Sequence, residues 1–201
     1  MPEPIETLNA SIRLPSAYLA PVSWYVAAAS SAAVVVEQHE HYVKQTWRNR
    51  CRIAMPDGAA DLVVPVVAAS NHTPMRDIRI SDHGNWRHHH WNALRTAYGK
   101  SPFFEYYADD FVPFYEQRYE FLVDFNERLR NMVCQLIDLD TPFSLSKSYE
   151  PPVAFSELPL IDAPYYQVFS QRNGFLPDLS IVDLLFNLGP ESLLYLNAQK
   201  R

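Results

Sequence analysis

The 201-residue sequence predicts an α/β fold: a single domain holding a mixed sheet with a β-hairpin and flanking helices. Three observations carry that expectation. Residues 11–36 read as strand, helix and strand, the unit of a parallel sheet. Residues 47–67 read as two strand arms around Pro56-Asp57-Gly58. Residues 119–137 carry apolar side chains at helical period. A chain of this size buries a proper core, and it shows neither an internal repeat nor a low-complexity tract, so residues 1–201 are read as one domain.

Residues 1–10, containing prolines and glutamates, read as a loose lead-in. Ser11–Leu19 has strand spacing, Pro15 and Pro21 bracket a loop, and the alanine-rich stretch Val22–Ser31 reads as a short buried helix. Ala33–Val36 is a compact apolar run of strand length. In the hairpin, Trp47–Met55 and Ala60–Val67 form the arms. Alternation along the first arm sends Arg48, Arg50 and Arg52 to one face and Asn49, Cys51 and Ile53 to the other. A loop at Ser70-Asn71-His72-Thr73-Pro74 leads to a short strand at Asp77–Ser81.

Asn85 is placed to cap a helix that runs to Tyr98 and ends at Gly99. Ser101-Pro102 restarts a helix, because proline suits the first helical position. In Tyr119–Ile137, Phe121, Leu122, Phe125, Leu129, Met132, Val133 and Leu136 form one apolar stripe. Prolines 142, 151, 152, 159 and 164 mark Asp138–Pro164 as ordered surface loop with short strands. Tyr165–Phe169 reads as a further strand, and Ser180 with Asp183 as a capping pair for a helix through Leu188.

Composition removes several function classes. The five glycines stand singly, so neither a phosphate-cradling loop nor a dinucleotide fingerprint can be written. Cys51 and Cys134 form no CxxC pair, which argues against a thiolate metal site or disulfide framework and fits a reducing compartment. A net charge of −6 argues against a nucleic-acid binder. Leu14–Val36 contains no charge and has the length of a membrane span, but Pro15, Pro21 and interspersed serines break it and no basic segment precedes it. There is no GxSxG elbow and no HExxH pair.

All seven histidines fall between His39 and His90. The densest chemistry lies in Glu37-Gln38-His39-Glu40-His41-Tyr42-Val43-Lys44, at the exit of the predicted strand, where open α/β sheets bind ligands. If this segment is extended, Glu37, His39 and His41 share a face, and the two imidazoles can meet one substrate or one metal; two histidines without a third ligand also occur as ordinary surface residues. Lys44, Arg48, Arg50 and Arg52 form a positive stretch with no acid from His41 to Pro56. Guanidinium groups suit phosphate or carboxylate, and the other possibility is a solvated face paired with acids elsewhere. On its helix, His90 shares a face with Trp86, Leu94 and Ala97 and points inward, as a hydrogen-bonded core histidine or as a proton carrier.

The chain resembles the WbqC-like protein family, and more closely a subgroup of Bacteroidetes-type bacteria. The residues that carry the resemblance are Pro15, Tyr18, Leu19 and Pro21, then Glu37–Glu40, Tyr42, Lys44, Gln45, Trp47 and Arg48–Cys51. Further on they are Trp86, His90-Trp91, Tyr98–Phe104 and Ser180–Glu191. The resemblance implies a cytoplasmic role in making O-antigen or another surface polysaccharide. The family's central pattern has aspartate near positions 38 and 39 and glutamine near 41, where this chain has Gln38, His39 and His41, so no shared acid catalyst is implied there.

Together these readings place a site at the first loop, the strand exit and the hairpin. His39 and His90 are its candidate proton carriers, and Tyr18, Glu37, Tyr42, Lys44, Asn49, Arg50 and Lys100 its candidate binding residues. The expected chemistry is group transfer to a sugar or sugar precursor from an anionic donor, with an imidazole beside an anion clamp. Two other functions stay open: a non-catalytic binding or assembly component of the same pathway, and a metal-dependent hydrolase or transferase using His39 and His41. The residues name no cofactor and no oligomeric state. Asn49 and Arg50 face one site only if a bulge interrupts the strand.

Overall fold

The structure, a computed structural model, describes residues 10–70 and 72–199. The lead-in, apart from Ala10, and Asn71 of the predicted loop lie outside the described residues. Strand β1 (Ile12–Pro15), helix α1 (Val22–Ala29) and strand β2 (Val34–Glu37) form the expected strand-helix-strand unit. The strands run parallel, in register from Ile12 opposite Val34 to Pro15 opposite Glu37. Every residue of α1 is buried, as an alanine-rich helix without charge requires. Its first turn is held by Asp178, whose carboxylate accepts from Ser23 N–H at 2.8 Å and from the Ser23 hydroxyl at 2.9 Å.

The hairpin pairs β3 (Arg50–Met55) with β4 (Gly58–Val63) around a two-residue turn, Pro56-Asp57. Gly58 is therefore a strand residue, opposite Met55, with φ +119°. The first arm begins three residues later than its alternation suggested, because residues 47–49 form a turn. The second arm ends at Val63 rather than Val67. The expected strand at Asp77–Ser81 is instead a 3-10 turn, Met75–Asp77, followed by single bridges at Arg79 and Ile80.

Helix α2 (Trp86–Tyr98) follows Asn85, which has left-handed φ 44° and makes no side-chain cap bond. Gly99 ends the helix with right-handed angles, and glycine is required by proximity: an added Cβ would stand 2.6 Å from the Arg95 carbonyl oxygen. Helix α3 (Phe104–Glu116) leads to α4 (Leu122–Leu136), whose stripe Leu122, Phe125, Leu129 and Val133 is fully buried. Strand β5 (Phe143–Leu145) then joins the far side of β2 in parallel, giving the order β1-β2-β5. The parallel strands and the hairpin thus form two separate sheets.

The strand expected at Tyr165–Phe169 is absent. That segment is held by the Gln167 side chain, which donates to the Leu176 carbonyl and accepts from the Leu176 N–H, both at 2.9 Å, ahead of the short helix α5 (Ser170–Asn173). Helices α6 (Ile181–Leu188) and α7 (Ser192–Ala198) complete the fold. Ser180 caps α6 and also donates to the Leu19 carbonyl at 2.7 Å, stitching the first loop to this helix. Among the described residues no helix is long and apolar enough to cross a membrane.

Candidate functional site at the strand exit

At the C-terminal end of β2, Glu37 is fully buried and its carboxylate is surrounded by donors. It accepts from His39 N–H at 2.6 Å, the Ser146 hydroxyl at 2.8 Å, Arg13 Nη1 at 2.7 Å and Glu150 N–H at 3.3 Å. Burial pushes this carboxyl up, but the bonds from His39, Ser146, Glu150 and Arg13 outweigh it and hold Glu37 below the usual value. Glu37 therefore ties the exits of β1, β2 and β5 together; its oxygens face protein donors.

Beyond Glu37 the chain bends at His39 and Glu40, so it is not the extended segment expected, and pairs loosely with residues 73–76. Arg76 N–H donates to the Gln38 carbonyl, Met75 N–H to that of Glu40 and Tyr42 N–H to that of Thr73, at 2.8–2.9 Å. This short ladder carries His39 and His41 to one cleft of about 440 Å³, which Glu40, Val43 and Tyr149 also line. His39 Nε2 is 3.1 Å from the Ser146 carbonyl oxygen and Nδ1 is 3.2 Å from Arg76 Nη1. A carbonyl accepts and a guanidinium donates, so Nε2 carries the proton and Nδ1 is the basic atom. His41 is exposed, its ring edge-on to His72 at 5.3 Å. Glu40 is engaged in a buried fork with Arg48, at 2.9 Å and 2.5 Å.

The residues that follow this segment contribute to a smaller recess of about 150 Å³, lined by Gln45, Trp47, Arg50, Arg52 and Asp61 among others. Arg50 Nη1 and Arg52 Nε reach the two oxygens of Asp61 at 2.9 Å and 3.0 Å. Two guanidinium groups thus share one carboxylate, leaving one positive charge in excess. Val43 of the first cleft and Gln45 of the second are two residues apart, so their Cα atoms lie no more than about 7 Å from each other.

The positive stretch is not the single face that alternation suggested. Arg48 lies on the turn, folded inward onto Glu40, while Arg50 and Arg52 face Asp61. The β3–β4 ladder runs unbroken from Arg50 opposite Val63, with no bulge. Asn49 accordingly points away from Arg50: its amide nitrogen donates to the Val64 carbonyl at 2.9 Å in the interior. Tyr42 is buried, Lys44 is exposed on the turn joining the two recesses, and Lys100 is exposed just past α2, lining neither.

Tyr18 and His90 are brought together, but in the core and not in either recess. The Tyr18 hydroxyl lies 2.9 Å from His90 Nδ1 and 2.8 Å from the Tyr115 hydroxyl, and His90 Nε2 lies 3.2 Å from the Val63 carbonyl oxygen. Burial lowers His90 to about 4, so the ring is neutral at pH 7. Cys51 is fully buried, and burial pushes its thiol up. Among the described residues no group of three or more His, Cys, Asp or Glu side chains gathers to hold a metal; His39 and His41 lack a third ligand.

Tyr149, which lines the cleft, and Arg76 and Ser146, which hold the His39 ring, were not legible in the sequence. Arg76 lies 37 residues and Ser146 107 residues from His39, and only the pairing of distant segments unites them. The model of the WbqC-like protein family matches residues 16–158, a span that contains every residue lining both recesses. The chain belongs to the WbqC-like protein family. It is 30% identical over 200 residues to the uncharacterized protein Rv1507c of Mycobacterium tuberculosis (strain ATCC 25618 / H37Rv), covering 81% of this chain and 86% of that relative. No solved structure matches the chain. The WbqC-like match closes between the 3-10 turn Phe155–Glu157 and α5, so the strand exit and hairpin belong to the family's common part.

Proposed function

We propose that this WbqC-like protein acts in the cytoplasm in surface polysaccharide biosynthesis of the O-antigen type, transferring a group from an anionic donor to a sugar or sugar precursor. The observation that carries this reading is His39: its ring is oriented by the Ser146 carbonyl, and it lines an open cleft at the C-terminal edge of a parallel sheet. In the proposed step, His39 Nδ1 takes the proton of an acceptor hydroxyl or amine as that atom attacks the transferred group. The bond to the donor breaks and the donor leaves as an anion. Arg50 and Arg52 hold it, since Asp61 neutralises only one of the two. Arg76, half-exposed, gives up its bond to Nδ1 when the acceptor enters.

The concavity of both recesses favours this over a binding or assembly component, for which a flat surface would serve. A metal on His39 and His41 is less well supported, because Nε2 faces a carbonyl and Nδ1 a cation. A thermal-shift screen of nucleotide sugars and acyl or aminoacyl donors tests the proposal, since a ligand of the folded state raises Tm by mass action. The best donor is expected to stabilise wild type and to lose most of that effect with Arg50→Ala. An identical response of the two proteins would refute the clamp.

A further inference from the structure

A third cleft lies between the start of α2 and the end of α3 and shares no lining residue with the recesses above. It encloses about 300 Å³, at the small end of the range for ligand pockets. Arg87, Trp91, Val112, Tyr115, Glu116 and Arg118 supply its chemistry.

Arg87 and Arg118 line one side of it. The Arg87 side chain is only 13% exposed, with its guanidinium over the Trp86 ring at 4.7 Å and Nη2 2.7 Å from Asp82 Oδ1. Its enclosed Nε has no hydrogen-bond partner among the described residues, an unusual state for a buried donor. Arg118 Nη1 lies 3.4 Å from Asp82 Oδ2. Asp82 is thus shared by two guanidinium groups, and the Arg87 bond is the main cause that holds its carboxyl below the usual value. One positive charge is left over. Glu116, also lining the cleft, is exposed and has no ion-pair partner among the described residues. The wall between is apolar: Trp91 stacks on Tyr115 with ring centroids 6.0 Å apart, and the Tyr115 hydroxyl is already bonded to Tyr18.

From this arrangement we infer that the cleft binds a small zwitterion, a molecule with one carboxylate, one ammonium group and an apolar body. Arg87 and Arg118 take the carboxylate, Glu116 takes the ammonium group, and Trp91, Tyr115 and Val112 cover the apolar part. A dianion would meet Glu116, and a plain amine would meet the surplus guanidinium charge, so the two charges of a zwitterion together match the site.

Calorimetric titration of the full chain tests this with three probes: L-phenylalanine, 3-phenylpropanoate, which lacks the ammonium group, and 2-phenylethylamine, which lacks the carboxylate. Phenylalanine is expected to bind saturably, and each truncated probe to bind at least about tenfold more weakly. Arg118→Gln and Glu116→Gln alter exposed side chains that the fold does not need, and each is expected to weaken phenylalanine about tenfold. His39→Gln is expected to leave it unchanged, which separates this site from the strand-exit cleft. Absence of saturable heat with phenylalanine, equal binding of 3-phenylpropanoate, or unaltered affinity in both variants would overturn the inference.

Discussion

The Tyr18 hydroxyl donates to His90 Nδ1 across 2.9 Å of core, and the Val63 carbonyl on the far side of the ring fixes that direction. A carbonyl only accepts, so Nε2 holds the ring proton and Nδ1 must accept. Tyr18 in turn accepts from the Tyr115 hydroxyl at 2.8 Å. Burial keeps the imidazole neutral in this arrangement, and this has a consequence for stability.

Burial lowers His90 from 6.5 to about 4 in the folded protein. The unfolded chain therefore binds a proton more readily, and the associated stability is fully present above pH 6.5 and lost as pH falls toward 4. The loss from this group is on the order of 3 kcal/mol. Urea unfolding at several pH values is expected to show it in wild type and to show a flatter profile in His90→Gln, whose side chain does not titrate. Parallel profiles in the two proteins would contradict the neutral-histidine arrangement.

Two carboxylates near the strand exit differ in what their loss should cost. Glu40 and Arg48 are both buried, so Glu40→Gln leaves a guanidinium charge uncompensated inside the protein, at a cost of about 3–5 kcal/mol. Asp61 and its arginines remain partly in water, and Asp61→Asn is expected to cost no more than about 1 kcal/mol. Urea midpoints, compared at constant m, separate the two cases. Equal midpoint shifts would mean that the Glu40–Arg48 fork is not enclosed in solution.

Gly189 ends α6 with φ +54°, and a Cβ there would stand 2.5 Å from Phe103 Cδ1. Gly189→Ala combines a left-handed backbone with overpacking and is expected to destabilise by more than about 2 kcal/mol. Gly58 also has positive φ but nothing within 4 Å of the added carbon, so Gly58→Ala serves as the backbone-only control and is expected to cost less. Thermal melts of both variants measure the difference; a smaller loss at Gly189 would show that α6 and Phe103 do not pack as described.

Much of the architecture was legible because it rests on local pattern. The strand-helix-strand opening follows from two short apolar runs around an alanine-rich helix, and α4 from one clean stripe. Inward placement of His90 followed from its spacing to Trp86, Leu94 and Ala97, all of which are buried. What failed was pattern that other bonds override. Tyr165, Gln167 and Phe169 alternate like a strand, yet the Gln167 amide supplies to Leu176 the bonds a neighbouring strand would have made. Arg48, Arg50 and Arg52 alternate too, but the strand starts at Arg50, and the buried Glu40 draws Arg48 off the series. Asp183 looked like half of a capping box; instead it is buried, accepts from Tyr165 and Gln167 at 2.6 Å and 2.8 Å, and is raised by that burial. The site itself was half legible. His39, His41 and Arg50 are contiguous enough to find by composition, whereas Arg76, Ser146 and Tyr149 arrive only through long-range pairing.

The most direct test of His39 as proton carrier is the rate of product formation, followed by mass spectrometry, with the donor and acceptor that most stabilise the protein. Glutamine at position 39 can keep the donation to the Ser146 carbonyl while removing the basic nitrogen, so His39→Gln isolates the proton-transfer role from folding. Wild type is expected to accumulate the transferred product and His39→Gln to do so at least about 100-fold more slowly, with ligand-induced Tm shifts preserved. Equal rates in the two proteins, or loss of product in His90→Gln while His39→Gln stays active, would contradict the assignment.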